Sequence, residues 1–437
     1  MVLERHFRWP LMAMGGVLAL VAQAADWPQF RGADGSGVAR DAKPPTVWSD
    51  VQNLKWRTPL PGGGTSSPIL VGGRVFVTCW SGGEGTNEGS ALKRYLVCLD
   101  RDTGKILWTK SIEGEKQADR YDGFLQEHGF ASHTPASDGE RVYVYFGRGG
   151  ALAFDLTGRE LWHTSLGSES NEKGWGSASS PVVYNQFVII NASEESHAIY
   201  ALDKTTGKQA WKAEGGALSY VFGTPVLART VERTELLLNA PDELWSMNPD
   251  TGKLRWYVET GLPGNIAPSV VLGDNTAYAF GGFPKLGAIA VKLGGKGNVT
   301  STNIVWKGSS STYVPTPVFH EGRIYFASDA GFAVCLDAKW GTQLYKERLP
   351  GASATGRGGK PFYASAVLAN GCVYATSRQN GVFVFAATPE FKLIAHNLLP
   401  GDDSDFNATP ALADRQIFLR SNRNLYCLET DRATTSN

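Results

Sequence analysis

The chain has 437 residues, with 42 Lys plus Arg against 42 Asp plus Glu, and 42% of it is hydrophobic. A formal charge of zero argues against nucleic acid or an anionic membrane as the main partner, because both recruit proteins through a basic field. With 51 Gly, 22 Pro and 13 Trp, the composition excludes a disordered chain and points to a turn-rich, all-β globular protein.

Residues 1–24 read as a signal peptide. Arg5 and Arg8 give a positive start, 11–21 is an apolar stretch, and Ala22, Gln23 and Ala24 form a small-x-small cleavage site. The apolar run is short for a membrane span, so the expectation is an exported chain, periplasmic or extracellular, that starts at Ala25 with no span in its mature part. An uncleaved anchor is the alternative. There is no Cys beside the site to carry a lipid. Residues 25–53 then form a leader, 54–429 the folded domain and 430–437 a disordered tail.

The domain rests on one phrase repeated eight times. Its last strand ends in LKW at 54–56, ILW at 106–108, ELW at 160–162, QAW at 209–211, LRW at 254–256 and IVW at 304–306, with Tyr345 and Ala395 in two worn copies. Before most of these comes a short apolar strand and a turn such as DRDTGK, whose Gly104, Gly158, Gly207 or Gly252 supplies positive φ. Further upstream lies a small-residue–Pro step, at Pro68, Pro135, Pro181, Pro225, Pro268, Pro317, Ala366 and Pro410. Most steps fall within the ~40–50-residue period of four-stranded propeller blades, and strands such as RVFVTC alternate with period two.

The two ends are out of phase. Residues 54–60 are a fourth strand with no three before it, and 408–429 supply three strands with no fourth. Pairing them closes the ring and removes open sheet edges. The expected fold is therefore all-β: an eight-bladed β-propeller of four-stranded antiparallel blades, closed by pairing the N-terminal strand with the C-terminal three. The Trp residues should dock between neighbouring blades and bury large apolar areas.

Of the five cysteines, Cys98, Cys335 and Cys427 hold one strand position in different blades and read as small buried hydrophobes. Cys79 and Cys372 lie in second strands of different blades, so a Cys79–Cys98 bridge within one blade is the pairing left open. No CxxC or CxxCH occurs, which leaves redox cysteine chemistry without support.

Candidate functional residues gather where the chain enters the innermost strands. Ser67, Thr134, Ser180, Thr224, Ala267, Thr316, Ser365 and Thr409 precede the steps and would set a hydroxyl collar around the axis. Slightly earlier lie Phe130, Trp175, Tyr220, Tyr313, Tyr363 and Phe406, with His133 close by. Aromatic bodies with polar tips suit a ligand funnel. Hydroxyls before Pro also satisfy backbone groups, and aromatics also fill gaps between blades. An insertion over 113–132, carrying Arg120 and His128, would lie over the same face. Asp402, Asp403 and Asp405 sit in a loop before an innermost strand, where three carboxylates suit Ca²⁺ or simply a solvated loop. The scattered His residues lack a third ligand spacing, and the Gly-rich stretches 62–64 and 147–150 open no helix, so neither a zinc site nor a phosphate loop is expected.

The ALDxxTGKxxW phrase with its SSP-V step resembles the pyrroloquinoline-quinone-type propeller repeat, over about residues 54–429. Asp26, Trp27, Pro28, Gln29, Phe30, Arg31 and Gly32, followed by Gly35, Ser36 and Gly37, resemble the opening of a large exported bacterial subfamily with that repeat. The family holds quinone-dependent alcohol and sugar dehydrogenases as well as non-catalytic scaffolds, such as the propeller lipoprotein of the outer-membrane β-barrel assembly machinery. The dehydrogenases resembled here use a vicinal Cys-Cys disulfide, a Glu/Asn/Asp calcium set and a catalytic Asp, and this chain has no adjacent cysteines.

Two readings follow. One is a non-catalytic, monomeric binding or scaffold module with no cofactor. It would take a protein, peptide or glycan at a funnel formed by His133, Trp175, Tyr220, Tyr313, Tyr363, Phe406 and Arg120. The other is an oxidoreductase dependent on pyrroloquinoline quinone and Ca²⁺, with Asp402, Asp403 and Asp405 as the metal candidates.

Overall fold

The structure, a computed structural model, describes residues 26–86, 91–114, 118–353 and 359–430. The signal-peptide region with its expected start at Ala25, and all but the first residue of the 430–437 tail, lie outside the described residues.

Eight antiparallel sheets follow one another as blades of a propeller. The first, Ile69–Val71, Arg74–Ser81, Lys93–Asp100 and Ile106–Glu113, sets the pattern of a short inner strand, two longer buried strands and an exposed outer one. The eighth is assembled from both chain ends as the phase required. Leu54–Pro59 pairs antiparallel with Asn424–Glu429, Trp56 opposite Cys427, and Gln416–Arg420 and Ala411–Ala413 complete the sheet. Two blades carry a fifth, parallel strand: Val38–Ala39 beside Val367–Ala369, and Gly297–Asn298 beside Leu254–Glu259.

The repeated phrase has a packing reason. In the turn, Asp100 accepts from the amides of Asp102 and Thr103 and from the Thr103 hydroxyl, which folds the chain back at Gly104. A Cβ on Gly104 would stand 2.5 Å from the Trp56 ring of the preceding blade, and Gly252 repeats this against Trp211. The glycine is therefore required by the close approach of the indole as well as by its positive φ. Each indole also donates to a turn carbonyl of the next blade: Trp56 to Arg101, Trp108 to Leu156, Trp162 to Lys204, Trp211 to Pro249 and Trp306 to Ala338. Trp256 departs from the rule. The next blade has no such turn, and its indole donates instead to Glu235 of its own blade. In all eight blades the outermost pair breaks register just before the docking residue, leaving side chains such as Leu107 and Leu161 bulged outward. Such bulges twist the outer edges and discourage edge-to-edge pairing.

Two details correct the repeat. The fifth blade's inner strand is Val271–Gly273, so its step residue is Val270 and not Pro268. All five cysteines are free and buried. Cys79 faces Tyr95 across the sheet while Cys98 faces Phe76 and Trp108, so the pairing left open does not form.

The leader is a strap across one face. Asp26 accepts from the Gly72 amide, Trp27 pairs with Leu70, and the Pro28 carbonyl takes the Ser137 amide. The chain then crosses the axis. The buried Arg31 guanidinium donates to the carbonyls of Thr316, Pro317 and Ala366, at 2.6–3.1 Å. Burial pulls its pKa down to about 9, against the opposing pull of Asp34. Beyond Val38–Ala39, the strap ends with Trp48, whose amide donates to Asn397.

Candidate functional site

The hydroxyl collar exists as a ring of eight residues linked by seven hydrogen bonds, from Ser67 round to Thr409. The amide of Ser67 donates to the Thr134 hydroxyl, Thr134 to Ser180, Ser180 to Thr224, Thr224 to Ser269, Ser269 to Thr316, Thr316 to Ser365 and Ser365 to Thr409, all at 2.9–3.1 Å. Every blade contributes one member. In the fifth, Ser269 takes the place expected of Ala267, which is the consequence of the step at Val270. The hydroxyls do satisfy backbone groups, as residues before a Pro often do. Each nevertheless keeps its own proton, because accepting a bond uses only a lone pair.

The ring encloses an axial chamber of about 150 Å³. The chain runs through the ring from an aromatic end to the strapped end, so the two ends are lined differently. The leader supplies Phe30. The opposite end is roofed by Trp175, Tyr313, Tyr363 and Phe222, together with Phe124 and His128 from the insertion. Phe124 lies 5.3 Å from Trp175 and 5.9 Å from Tyr363, which places the insertion over the axis. Its far end is latched to the opposite blades: Glu127 pairs with Arg378, and Asn407 donates to the Glu127 carbonyl. His128 is neutral, its pKa brought down to about 4 by burial. The Trp175 carbonyl can only accept, so Nε2 of His128 carries the proton and Nδ1 accepts from Ser132.

Cations stand over the roof. Lys173 Nζ is 4.5 Å from the Trp175 ring, Lys360 Nζ 3.7 Å from Tyr313 and Arg378 Cζ 4.5 Å from Tyr363. Arg378 is committed to Glu127 and Asp405, and Lys360 to Asp329.

Of the funnel residues expected from sequence, Trp175, Tyr313 and Tyr363 line the chamber. Tyr220 stands behind Trp175, edge-on at 6.3 Å. Phe406 is stacked on Tyr426, 6.0 Å away in the closing blade. Arg120 points outward beside Asp122. His133 is buried in a separate cluster. Phe30, Phe124 and Phe222 were not among the candidates; the first lay in the leader motif and the last two residues beyond Tyr220, but nothing in the sequence aimed them at the axis.

The His133 cluster has its own small cavity, about 30 Å³, between the second and third blades. His133 Nε2 is 3.0 Å from the Ser177 hydroxyl, which donates to Glu195; Tyr145 donates to the other carboxylate oxygen at 2.7 Å. Burial pushes Glu195 up to about 7, with Ser177 and Tyr145 pulling the other way. Burial also raises Glu194, although it accepts from Asn171 and the Val221 amide. His133 is driven down to about 3 by burial and by Arg94.

The acidic loop diverges. Asp402 turns inward to Ser404, Ser421, Asn424 and Tyr426. Burial alone would raise its pKa, but these four bonds outweigh it and hold Asp402 at about 2. Asp403 faces solvent beside Arg423, and Asp405 is taken by Arg378 and Gln379. Among the described residues no three His, Cys, Asp or Glu side chains converge as a metal site.

Residues 92–295 match the family model described as outer membrane protein assembly factor BamB. A polyvinylalcohol dehydrogenase from Pseudomonas sp. is 23% identical over 48% of this chain and 36% of its own length. The chain spans about a third of the length of the curated relatives it matches. Among solved structures, BamB from Moraxella catarrhalis superposes with a TM-score of 0.55 at 14% identity, covering 87% of this chain and 95% of that one. The quinohemoprotein alcohol dehydrogenase of Comamonas testosteroni gives 0.61 at 13%, covering 92% and 80%. At such identities the superpositions speak for the fold.

Proposed function

From a chain that belongs to the pyrroloquinoline-quinone-like β-propeller repeat family, we propose an exported binding or scaffold module whose axial chamber takes a compact, oxygen-rich group of a glycan, peptide or protein partner. The observation that carries this reading is the hydroxyl ring beneath an aromatic roof. Seven of the eight ring hydroxyls, all but Ser67, accept one amide of the neighbouring blade, and each retains a proton for a ligand oxygen. The faces of Trp175, Tyr313 and Tyr363 cover the ligand's apolar area, while Lys173 adds a cation free of any carboxylate partner among the described residues. At about 150 Å³ the chamber is smaller than the ~300–1,000 Å³ of pockets for drug-sized ligands, which favours one residue-sized group of a larger molecule.

The likeness to two dehydrogenases favours a second reading, a quinone-dependent oxidoreductase. Trp175 offers a stacking face and Lys173 a partner for quinone carboxylates. The divalent ion is the difficulty. No carboxylate lines the chamber among the described residues, and the oxygens of Asp402 and Asp405 are spent on Ser421, Asn424, Tyr426, Arg378 and Gln379. These residues do not fit a quinone–metal pair, and no reaction step is derived through one.

Calorimetric titration of the full chain with soluble oligosaccharides and short acidic peptides tests the binding reading. Binding should weaken at least about tenfold in Trp175→Ala and less in Tyr220→Ala, since Tyr220 only backs that ring, with the melting temperature kept. Stoichiometric uptake of pyrroloquinoline quinone with Ca²⁺, together with dye-linked alcohol oxidation, would replace it with the oxidoreductase reading.

A further inference from the structure

On the strapped face the leader shows how this propeller holds an extended chain. In each inner strand the residue two beyond the step lies at a non-hydrogen-bonded pair of its own sheet, so its amide points away from the ladder. In the first blade that residue is Leu70, whose amide donates to the Trp27 carbonyl at 3.0 Å. In the second it is Ser137, donating to Pro28 at 2.8 Å, and in the seventh Leu368, donating to Gly37 at 2.8 Å. Consecutive leader residues, Trp27 and Pro28, thus serve adjacent blades.

The third, fourth and fifth blades carry the same position at Val183, Leu227 and Leu272. Their registers, Val183 opposite Val188, Leu227 opposite Leu236 and Leu272 opposite Ala277, repeat that of Leu70 opposite Val75. The strap leaves the second blade for the axis and resumes on the far side, so among the described residues no leader carbonyl accepts from these amides. They border instead a groove of about 580 Å³, of which the other wall is the leader itself. Val183, Leu227, Leu272 and Leu293 present a half-buried apolar surface there. The lining carries Arg31, Arg40 and Arg229 against Asp34 and Asp274; with Arg31 buried and bonded to three carbonyls, the remaining charges balance, which disfavours a polyanion.

The geometry points to this groove as a docking site for one extended peptide segment of a partner protein, held by one backbone hydrogen bond to each of three successive blades. Its successive carbonyls accept from Val183, Leu227 and Leu272, as the leader's accept from Leu70, Ser137 and Leu368, and its apolar side chains cover Leu227 and Leu272. The site is continuous with the leader interface and shares Phe30, Thr224 and Ser269 with the floor of the axial chamber, but none of the roof residues Trp175, Tyr313 and Tyr363, so a roof variant separates it from the axial reading.

Selection of phage-displayed random decapeptides on the full chain, followed by amide hydrogen exchange, is the test. In the free protein Leu70, Ser137 and Leu368 should exchange slowly and Val183, Leu227 and Leu272 quickly; a selected peptide should slow the second set. Leu227→Pro removes a groove-facing amide without touching a ladder bond, and Leu272→Arg fills the groove should the proline variant fail to fold. Either should weaken the selected peptides at least about tenfold, with Trp175→Ala leaving them unchanged. The proposal is overturned by a selection that yields no binder or by binders indifferent to Leu272→Arg. It is equally overturned by binders lost in Trp175→Ala, or by groove amides already as slow as Leu70 in the free chain.

Discussion

Two groups of carboxylates sit on the same side of the ring, and the molecule treats them in opposite ways. Asp402, in the closing blade, receives four hydrogen bonds from side chains and one from the Ser404 amide, and is held ionised down to a pKa of about 2. Glu195, between the second and third blades, receives two, is sealed from water, and is pushed up to about 7. The difference is the balance of hydrogen bonds against burial. Donors compensate the charge of Asp402, whereas desolvation is the largest influence at Glu195 and outweighs the bonds from Ser177 and Tyr145. A run of acidic residues is therefore a structural staple here, and an unremarked glutamate is the titrating group.

The largest expected effect tests the Glu195 half. Its folded pKa lies above the usual carboxylate value of 4.5, so it carries no penalty below about pH 4.5 and destabilises progressively as pH rises through 7. A shift of that size corresponds to about 3 kcal/mol above pH 8. Glu195→Gln should remove this slope. Urea denaturation at pH 5 should find the variant close to the parent, and at pH 8.5 more stable by about 2–3 kcal/mol. An unchanged slope in the variant would return Glu195 to ordinary ionisation and collapse the contrast.

Asp402 should behave in reverse. Its depressed pKa contributes stability that is present above about pH 4 and lost as pH falls towards 2, and solvent screening of this partly exposed group limits that contribution to about 1 kcal/mol. Asp402→Ala also strands Ser421, Asn424 and Tyr426, so a loss of about 2–3 kcal/mol at neutral pH is expected. Asp402→Asn, which keeps an acceptor, should lose less. The readout is the denaturation midpoint.

Glu127 links the two halves, because its ion pair with Arg378, which also holds Asp405, keeps the insertion across the chamber. Glu127→Gln should cost about 1 kcal/mol globally, with faster amide exchange confined to 118–132.

How far all this was legible in the sequence follows from where the information lies. The eight blades and their closure through 54–60 were readable because a Gly and a Trp four residues beyond it, such as Gly104 and Trp108 or Gly207 and Trp211, recur from blade to blade, and each such Gly packs on the Trp of the blade before. The fifth blade misled: Pro268 looked like the step, and only the pairing of Val271 with Tyr278 shows that Val270 holds it and Ser269 the hydroxyl. At the site, Trp175, Tyr313 and Tyr363 were legible from their place before an inner strand, while Phe30 and Phe124 reach the axis from segments outside the repeat. Glu194 and Glu195 carry no spacing signal at all. Their character comes from burial against loops of neighbouring blades, which a linear pattern does not encode. Asp402, Asp403 and Asp405 gave the opposite error, since the sequence shows three neighbouring carboxylates but not the Ser421–Tyr426 hairpin that absorbs the first of them.

The smallest effect completes the comparison. Asp403 lies beside Asp402 in the chain, yet its side chain is 85% exposed and its partner Arg423 is 65% exposed. Water screens such a pair and both side chains lose rotamer freedom in making it, so its net contribution is within about 0.5 kcal/mol of zero. Asp403→Asn should accordingly leave the denaturation midpoint unchanged at every pH between 3 and 9, while Asp402→Asn shifts it. If the two variants move the midpoint equally, the loop is acting as one acidic patch, and hydrogen-bond number is not what separates these carboxylates. If only Asp402→Asn moves it, the donors on Ser421, Asn424 and Tyr426 are what turn one aspartate of the loop into a structural anion and leave its neighbour to the solvent.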